Sequence, residues 1–144
     1  MTTELDRIAY TATVTATGGR AGHATSDDGF IDLDLRPPKE MGGPGGATNP
    51  EQLFAAGYAA CFQGALGAAG RRAKIDTSAS LVTASVSIGP VGDAFGLAVT
   101  LDVQIPGVDE QQCQALADDA HRICPYSNAT RGNIVVDVRA RPAE

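Results

Sequence analysis

The sequence is poor in the residues that hold metals and bind polyanions. It has two histidines, His23 and His121, and three cysteines, Cys61, Cys113 and Cys124, among 144 residues. Cys113 and His121 are eight residues apart, about 12 Å along a helix, too far for one tetrahedral centre. No metal is expected. No Cys-x-x-Cys pair is present, and no histidine is placed as the base of a cysteine nucleophile. Lys and Arg number 11 against 17 Asp and Glu, a formal charge of -6. That balance argues against nucleic acid and anionic membrane as partners, since both reward basic patches. The glycines Gly42 to Gly46 do not follow a buried strand in a βαβ unit, so they are no nucleotide-binding motif. The first residues, Met1 to Asp6, carry acids and no apolar core, unlike a signal peptide. Only the run from Leu53 to Gly70 is long and apolar enough to suggest a membrane span, and it reads better as a buried helix. The cytoplasm is the expected compartment. There, cysteines are kept reduced, so a functional pair is more plausible than a structural staple.

What is present is enough for a core: 43% of residues are hydrophobic, and the length suits a single domain, 1–144. Ile8 to Thr17 alternate apolar and polar residues, as a half-wet strand does. Phe30 to Leu35 reads as a short strand. The prolines and glycines from Pro37 to Gly46 predict a long loop. Asn49, Pro50 and Gln52 mark a helix start that should run to about Arg72, buried on all sides. Its glycines, Gly57, Gly64, Gly67 and Gly70, each cost about 1 kcal/mol against alanine, so something must approach closely. Arg71, Arg72 and Lys74 suit its C-terminus. Val82 to Ile88 and Leu97 to Ile105 predict a hairpin around Gly89–Asp93. Asp109 caps a second helix that Pro125 stops or interrupts, and Ile134, Val136 and Val138 mark a last strand. The order gives an α+β class with largely antiparallel sheets. A chain this small cannot cover both sides of so apolar a helix, so we expect a dimer with the two long helices as shared core.

Cys61 lies in the middle of the long helix. Taken alone, a cysteine there is a small buried hydrophobe. If it reacts, the helix dipole gives no help, and a cation from elsewhere must lower its pKa. Cys124 sits at a helix end beside Pro125, either as an apolar contact or as a movable thiol. Cys113 reads as structural: it pairs with Val108 in a hydrophobic staple. It also lies about 16 Å from Cys124 along their helix, too far to bond.

Two segments carry a resemblance. Asn49-Pro50-Glu51-Gln52-Leu53-Phe54-Ala55-Ala56-Gly57-Tyr58-Ala59-Ala60-Cys61-Phe62 closely resembles the first-cysteine motif of the organic hydroperoxide resistance proteins, in the OsmC-like superfamily. Cys124-Pro125-Tyr126-Ser127-Asn128-Ala129-Thr130-Arg131-Gly132-Asn133 resembles their second. Gly18-Gly19-Arg20 and Gly42-Gly43-Pro44-Gly45-Gly46 are similar too, so the likeness spans nearly the whole chain in order. Gln63 and the stretch Gly67–Gly70 depart from it, replacing bulkier residues.

The resemblance implies an OsmC-like fold, with sheets wrapped around long central helices in an intertwined homodimer. It implies a peroxidase for organic (alkyl or fatty-acid) hydroperoxides, re-reduced by a dihydrolipoyl dithiol on a lipoylated protein or as dihydrolipoamide, with no bound cofactor. It makes Cys61 the peroxidatic cysteine, Cys124 the resolving one, Arg20 the cation and Glu51 the carboxylate holding it. Glu51 and Cys61 lie ten residues apart on one helix, about 15 Å. Arg20 and Glu51 are therefore expected to reach Cys61 from the partner subunit. Phe54, Phe62, Phe95 and Tyr126 are candidates for an apolar substrate pocket, although each is also the kind of residue that fills a plain core. The rival readings are another cysteine-based thiol-disulfide or acyl-transfer enzyme, and a redox-sensing binding module.

Overall fold

The computed structural model describes residues 2–143. The chain divides after Pro50 into two compact units.

The first unit is a three-stranded antiparallel sheet in the order β1 (Val14–Thr17), β2 (His23–Ser26) and β3 (Asp32–Asp34). A 3-10 turn at Gly19–Ala21 joins β1 to β2 and carries Arg20. Gly18 and Gly19 take positive φ there, 72° and 60°, the left-handed region that only glycine enters freely. Only the end of the Ile8–Thr17 alternation is a strand. Ile8 and Tyr10 lie exposed, and residues 8–12 join no ladder among the described residues. Periodicity gives a segment two faces, but a strand also needs a neighbour for its backbone bonds. The Pro37–Gly46 loop is folded on itself around a 3-10 turn at Lys39–Met41. Gly43 packs so tightly that an added Cβ would lie 2.3 Å from the Pro37 carbonyl oxygen.

The second unit holds three helices and a second sheet. Helix α1 runs Pro50–Ala73, from the proline at its first position. By length and composition it could cross a membrane. Here one face of it, Tyr58, Phe62, Ala65, Leu66, Ala69 and Gly70, is buried in the core. Strands β4 (Leu81–Val91) and β5 (Ala94–Ile105) form the expected hairpin. Their ladder runs on to Val91 opposite Ala94, so the loop is Gly92-Asp93 alone. The ladder includes Pro90, which β4 tolerates as an edge strand. Helix α2 spans Glu110–Ile123, capped by Asp109 in a capping box with Gln112. Helix α3 is Pro125–Thr130. Strand β6 (Val136–Pro142) then pairs with β5 in parallel. The two helices between β5 and β6 form the crossover that a parallel neighbour requires. The sheet is therefore antiparallel at β4–β5 and parallel at β5–β6, where short turns alone would have made it antiparallel throughout. Val99, Leu101, Val103 and Ile105 of β5 meet the buried face of α1 in one core with Cys113, Leu116 and Ala120 of α2.

Candidate functional site

Cys124 owes its position to the proline after it. A residue before proline avoids helical geometry, and Cys124 has φ -60° and ψ 122°. It ends α2 and opens α3, with Pro125 at the first position of the new helix. Its amide donates to the Ala120 carbonyl at 2.8 Å, and its carbonyl accepts from the Asn128 amide at 2.9 Å. The resulting bend turns the Cys124 side chain onto α1. Its Sγ lies 3.6 Å from Sγ of Cys61, and both cysteines are free thiols. A disulfide needs about 2.05 Å, so a small local movement closes the bond. Cys124 is fully buried and Cys61 half-buried. Solvent therefore reaches Cys61 before Cys124.

Burial pushes the Cys61 thiol above its ordinary value, the backbone N–H of Tyr126 works against that, and the Cys124 sulfur adds to the rise. Cys61 lies in the middle of α1, far from that helix's own N-terminus, and the Tyr126 amide that opposes the rise belongs to the first turn of α3. Cys113 is fully buried in the core and burial raises its thiol too. It stands in the core with Leu116 and Ala120 of α2, and Val108 packs against the same cluster.

The aromatic candidates separate into three environments. Phe54, Tyr58 and Tyr126 cluster, with ring centroids 5.6 to 6.2 Å apart. Gly57 makes room for this cluster: a Cβ there would meet the Tyr126 hydroxyl at 2.7 Å. Phe62 is sealed in the core against the His121 ring. Phe95 sits 73% exposed near the tip of the β4–β5 hairpin and shares none of these ring contacts. Arg20 lies exposed on the β1–β2 turn of the first unit, and Glu51 in the first turn of α1.

One constellation escaped the sequence reading. His121 Nδ1 lies 2.7 Å from Ser127 Oγ, which lies 2.8 Å from the Tyr58 hydroxyl, itself 3.1 Å from Thr130 Oγ1. The available signal was spacing: Ser127 and Thr130 share one face of α3, three residues apart. Nothing in the sequence said that α1 would supply the tyrosine.

The OsmC-like protein family model matches residues 43–139 of the chain. The organic hydroperoxide resistance protein of Xanthomonas axonopodis pv. citri is 51% identical over 133 residues, 91% of this chain and 94% of that protein. The crystal structure of an organic hydroperoxide resistance protein from Elizabethkingia anophelis superposes with a TM-score of 0.91 at 48% identity, covering 96% of this chain and 100% of that one. That of OhrB from Bacillus subtilis gives 0.84 at 46% identity, covering 92% and 98%. Sequence and fold agree along nearly the full length, and the paired sulfurs lie on the two segments that carry the motifs. The chain belongs to the OsmC-like family, in its organic hydroperoxide resistance branch.

Proposed function

We propose that this chain is a cytoplasmic thiol peroxidase that reduces organic hydroperoxides to alcohols. The observation that carries the reading is the 3.6 Å approach of two free sulfurs, one half-buried and one fully buried. The Cys61 thiolate attacks the distal peroxide oxygen. The O–O bond breaks, the alcohol leaves with a proton, and Cys61 becomes a sulfenic acid. Cys124 then attacks that sulfur. The S–O bond breaks, water leaves, and a Cys61–Cys124 disulfide forms. An external dithiol of the dihydrolipoyl type returns both thiols by two exchange steps and is itself oxidised.

The chemistry needs a cation at Cys61, because burial raises its thiol and only the thiolate is nucleophilic. Arg20 is the proposed cation, also stabilising charge on the departing oxygen, with Glu51 holding it. Helical distance keeps Glu51 about 15 Å from Cys61 in its own chain, so both come from the partner of a homodimer. Helix α1 supports that assembly: its exposed side carries Ala56, Ala60 and Gly64, small residues across which a second helix can pack closely. Phe54 and Tyr126 form the proposed apolar wall that favours alkyl or fatty-acid hydroperoxides, while Phe62 stays within the core. Phe95 serves the pocket only from another subunit's hairpin.

Turnover tests the reading. Purified protein given cumene hydroperoxide and dihydrolipoamide should consume peroxide over many cycles. One oxidation event followed by silence would mark a sensor.

A further inference from the structure

His121 and Ser127 each lie three residues from Cys124, on opposite sides of the bend, and Tyr58 lies three residues before Cys61. Tyr58 and Cys61 share a face of α1 at that spacing, and the His121–Ser127 contact closes across the Cys124 bend. The chain of contacts from His121 through Ser127 to Tyr58 and Thr130 therefore brackets both sulfurs. Tyr58 and Ser127 are fully buried, and Thr130 nearly so.

Counting protons favours one direction for this chain, the one that makes the most hydrogen bonds. Each hydroxyl has one to give. Thr130 gives its proton to the Ser127 carbonyl at 3.2 Å. The Tyr58 hydroxyl must then donate to Thr130, and Ser127 Oγ to Tyr58. Ser127 Oγ is left to accept, so His121 must donate from Nδ1. The reverse order, from Thr130 through Tyr58 and Ser127 to His121, leaves that carbonyl to the Arg131 amide alone, 2.8 Å away, and forgoes one hydrogen bond. In this order a second proton on His121 goes to Nε2 and leaves every link intact.

We propose that the His121–Ser127–Tyr58–Thr130 chain is a positioning device for disulfide closure. It rests on the peroxidase reading above. His121 to Ser127 closes the angle between α2 and α3 at Cys124, and Ser127 to Tyr58 pins that bend onto the turn of α1 that bears Cys61. The chain thereby sets how often the Cys61 sulfenic acid is captured by Cys124, with loss of water, before a second hydroperoxide oxidises it to sulfinic acid with loss of a second alcohol. Ser127 and Tyr58 are positioning residues; neither is asked to touch substrate.

The test is a partition ratio. Wild type and the variants Tyr58→Phe, Ser127→Ala, Ser127→Thr and His121→Gln are each treated with a series of cumene hydroperoxide concentrations. Sulfinate and disulfide products are counted by mass. The ratio does not depend on how fast the sulfenic acid first forms, so general loosening that slows the first step leaves it unmoved. Tyr58→Phe, Ser127→Ala and His121→Gln should raise sulfinate over disulfide about tenfold, the order expected for one buried hydrogen bond. Ser127→Thr keeps the hydroxyl and should fall back toward wild type. An unchanged ratio in the folded variants, with wild type still forming its disulfide, would overturn the positioning role alone. A wild type that forms no Cys61–Cys124 disulfide would overturn the peroxidase reading as well. Nitrogen NMR of the wild-type histidines gives a readout that needs no variant. His121 should carry its proton on Nδ1 when neutral, and a neutral Nε2–H form would overturn the assigned chain.

Discussion

Two histidines placed in opposite surroundings give the clearest residue-scale prediction. His23 sits between carboxylates, bonded to Asp34 at 2.8 Å and also to Asp32, and these bonds raise its pKa, Asp34 first. His121 is lowered, by burial first and then by the Arg131 charge. An unfolded histidine titrates near about 6.5. The His23 contribution to stability is therefore full below that value and is lost as pH rises through the higher folded pKa. His121 behaves in the other sense: stability is lost as pH falls below the unfolded value toward the lower folded one. Proton NMR of the two imidazoles should show His23 titrating above and His121 below the ordinary histidine value. A shared midpoint would contradict both placements. Neither environment was legible in the sequence. His23 meets Asp34 because the β2–β3 register sets them opposite one another, and His121 is buried by α3, whose packing depends on the Pro125 bend.

At the scale of elements, the four glycines of α1 divide by what they face. A Cβ at Gly70 would lie 2.7 Å from the Ile75 carbonyl oxygen and from Thr77, so Gly70→Ala should destabilise the subunit by about 1–3 kcal/mol through overpacking. Gly57 admits the Tyr126 ring. Gly64 meets nothing within 4 Å in its own chain. Gly64→Leu should leave the subunit folded and weaken a dimer packed on that face about tenfold or more, by the same overpacking cost. Sedimentation against concentration reads this directly; an unshifted dimer would place the partner elsewhere. The demand for close neighbours was visible in the sequence, since helical glycine is costly. Which neighbour served which glycine was not. Local signals also placed the α2 cap and the bend at Cys124 correctly, because cap and proline chemistry act within a few residues. The parallel β5–β6 pairing and the shortened β1 were missed because strand partners are chosen over long separations.

For the whole molecule, the decisive feature is the meeting of Cys61 and Cys124, 63 residues apart. Motif resemblance named both sulfurs, but only the packing of α1 against the α2–α3 bend makes them neighbours. The exposed apolar side chains Ile8, Tyr10 and Phe95, with the open side of α1, fit an intertwined assembly in which a second subunit covers them. Mixing subunits tests the shared site. Cys61→Ser and Glu51→Ala homodimers should each lose most activity. Their heterodimers should regain one working site, because one half keeps both the sulfur and the opposing carboxylate. No recovery on mixing would mean that each chain completes its own site.

The central claim is that these two sulfurs form a working pair. One equivalent of organic hydroperoxide, followed by intact mass and disulfide mapping, tests it most directly. The account predicts the loss of two hydrogens per chain and a single cross-linked peptide joining Cys61 to Cys124, with Cys113 still a free thiol. An unreacted chain, or a disulfide through Cys113, would contradict it.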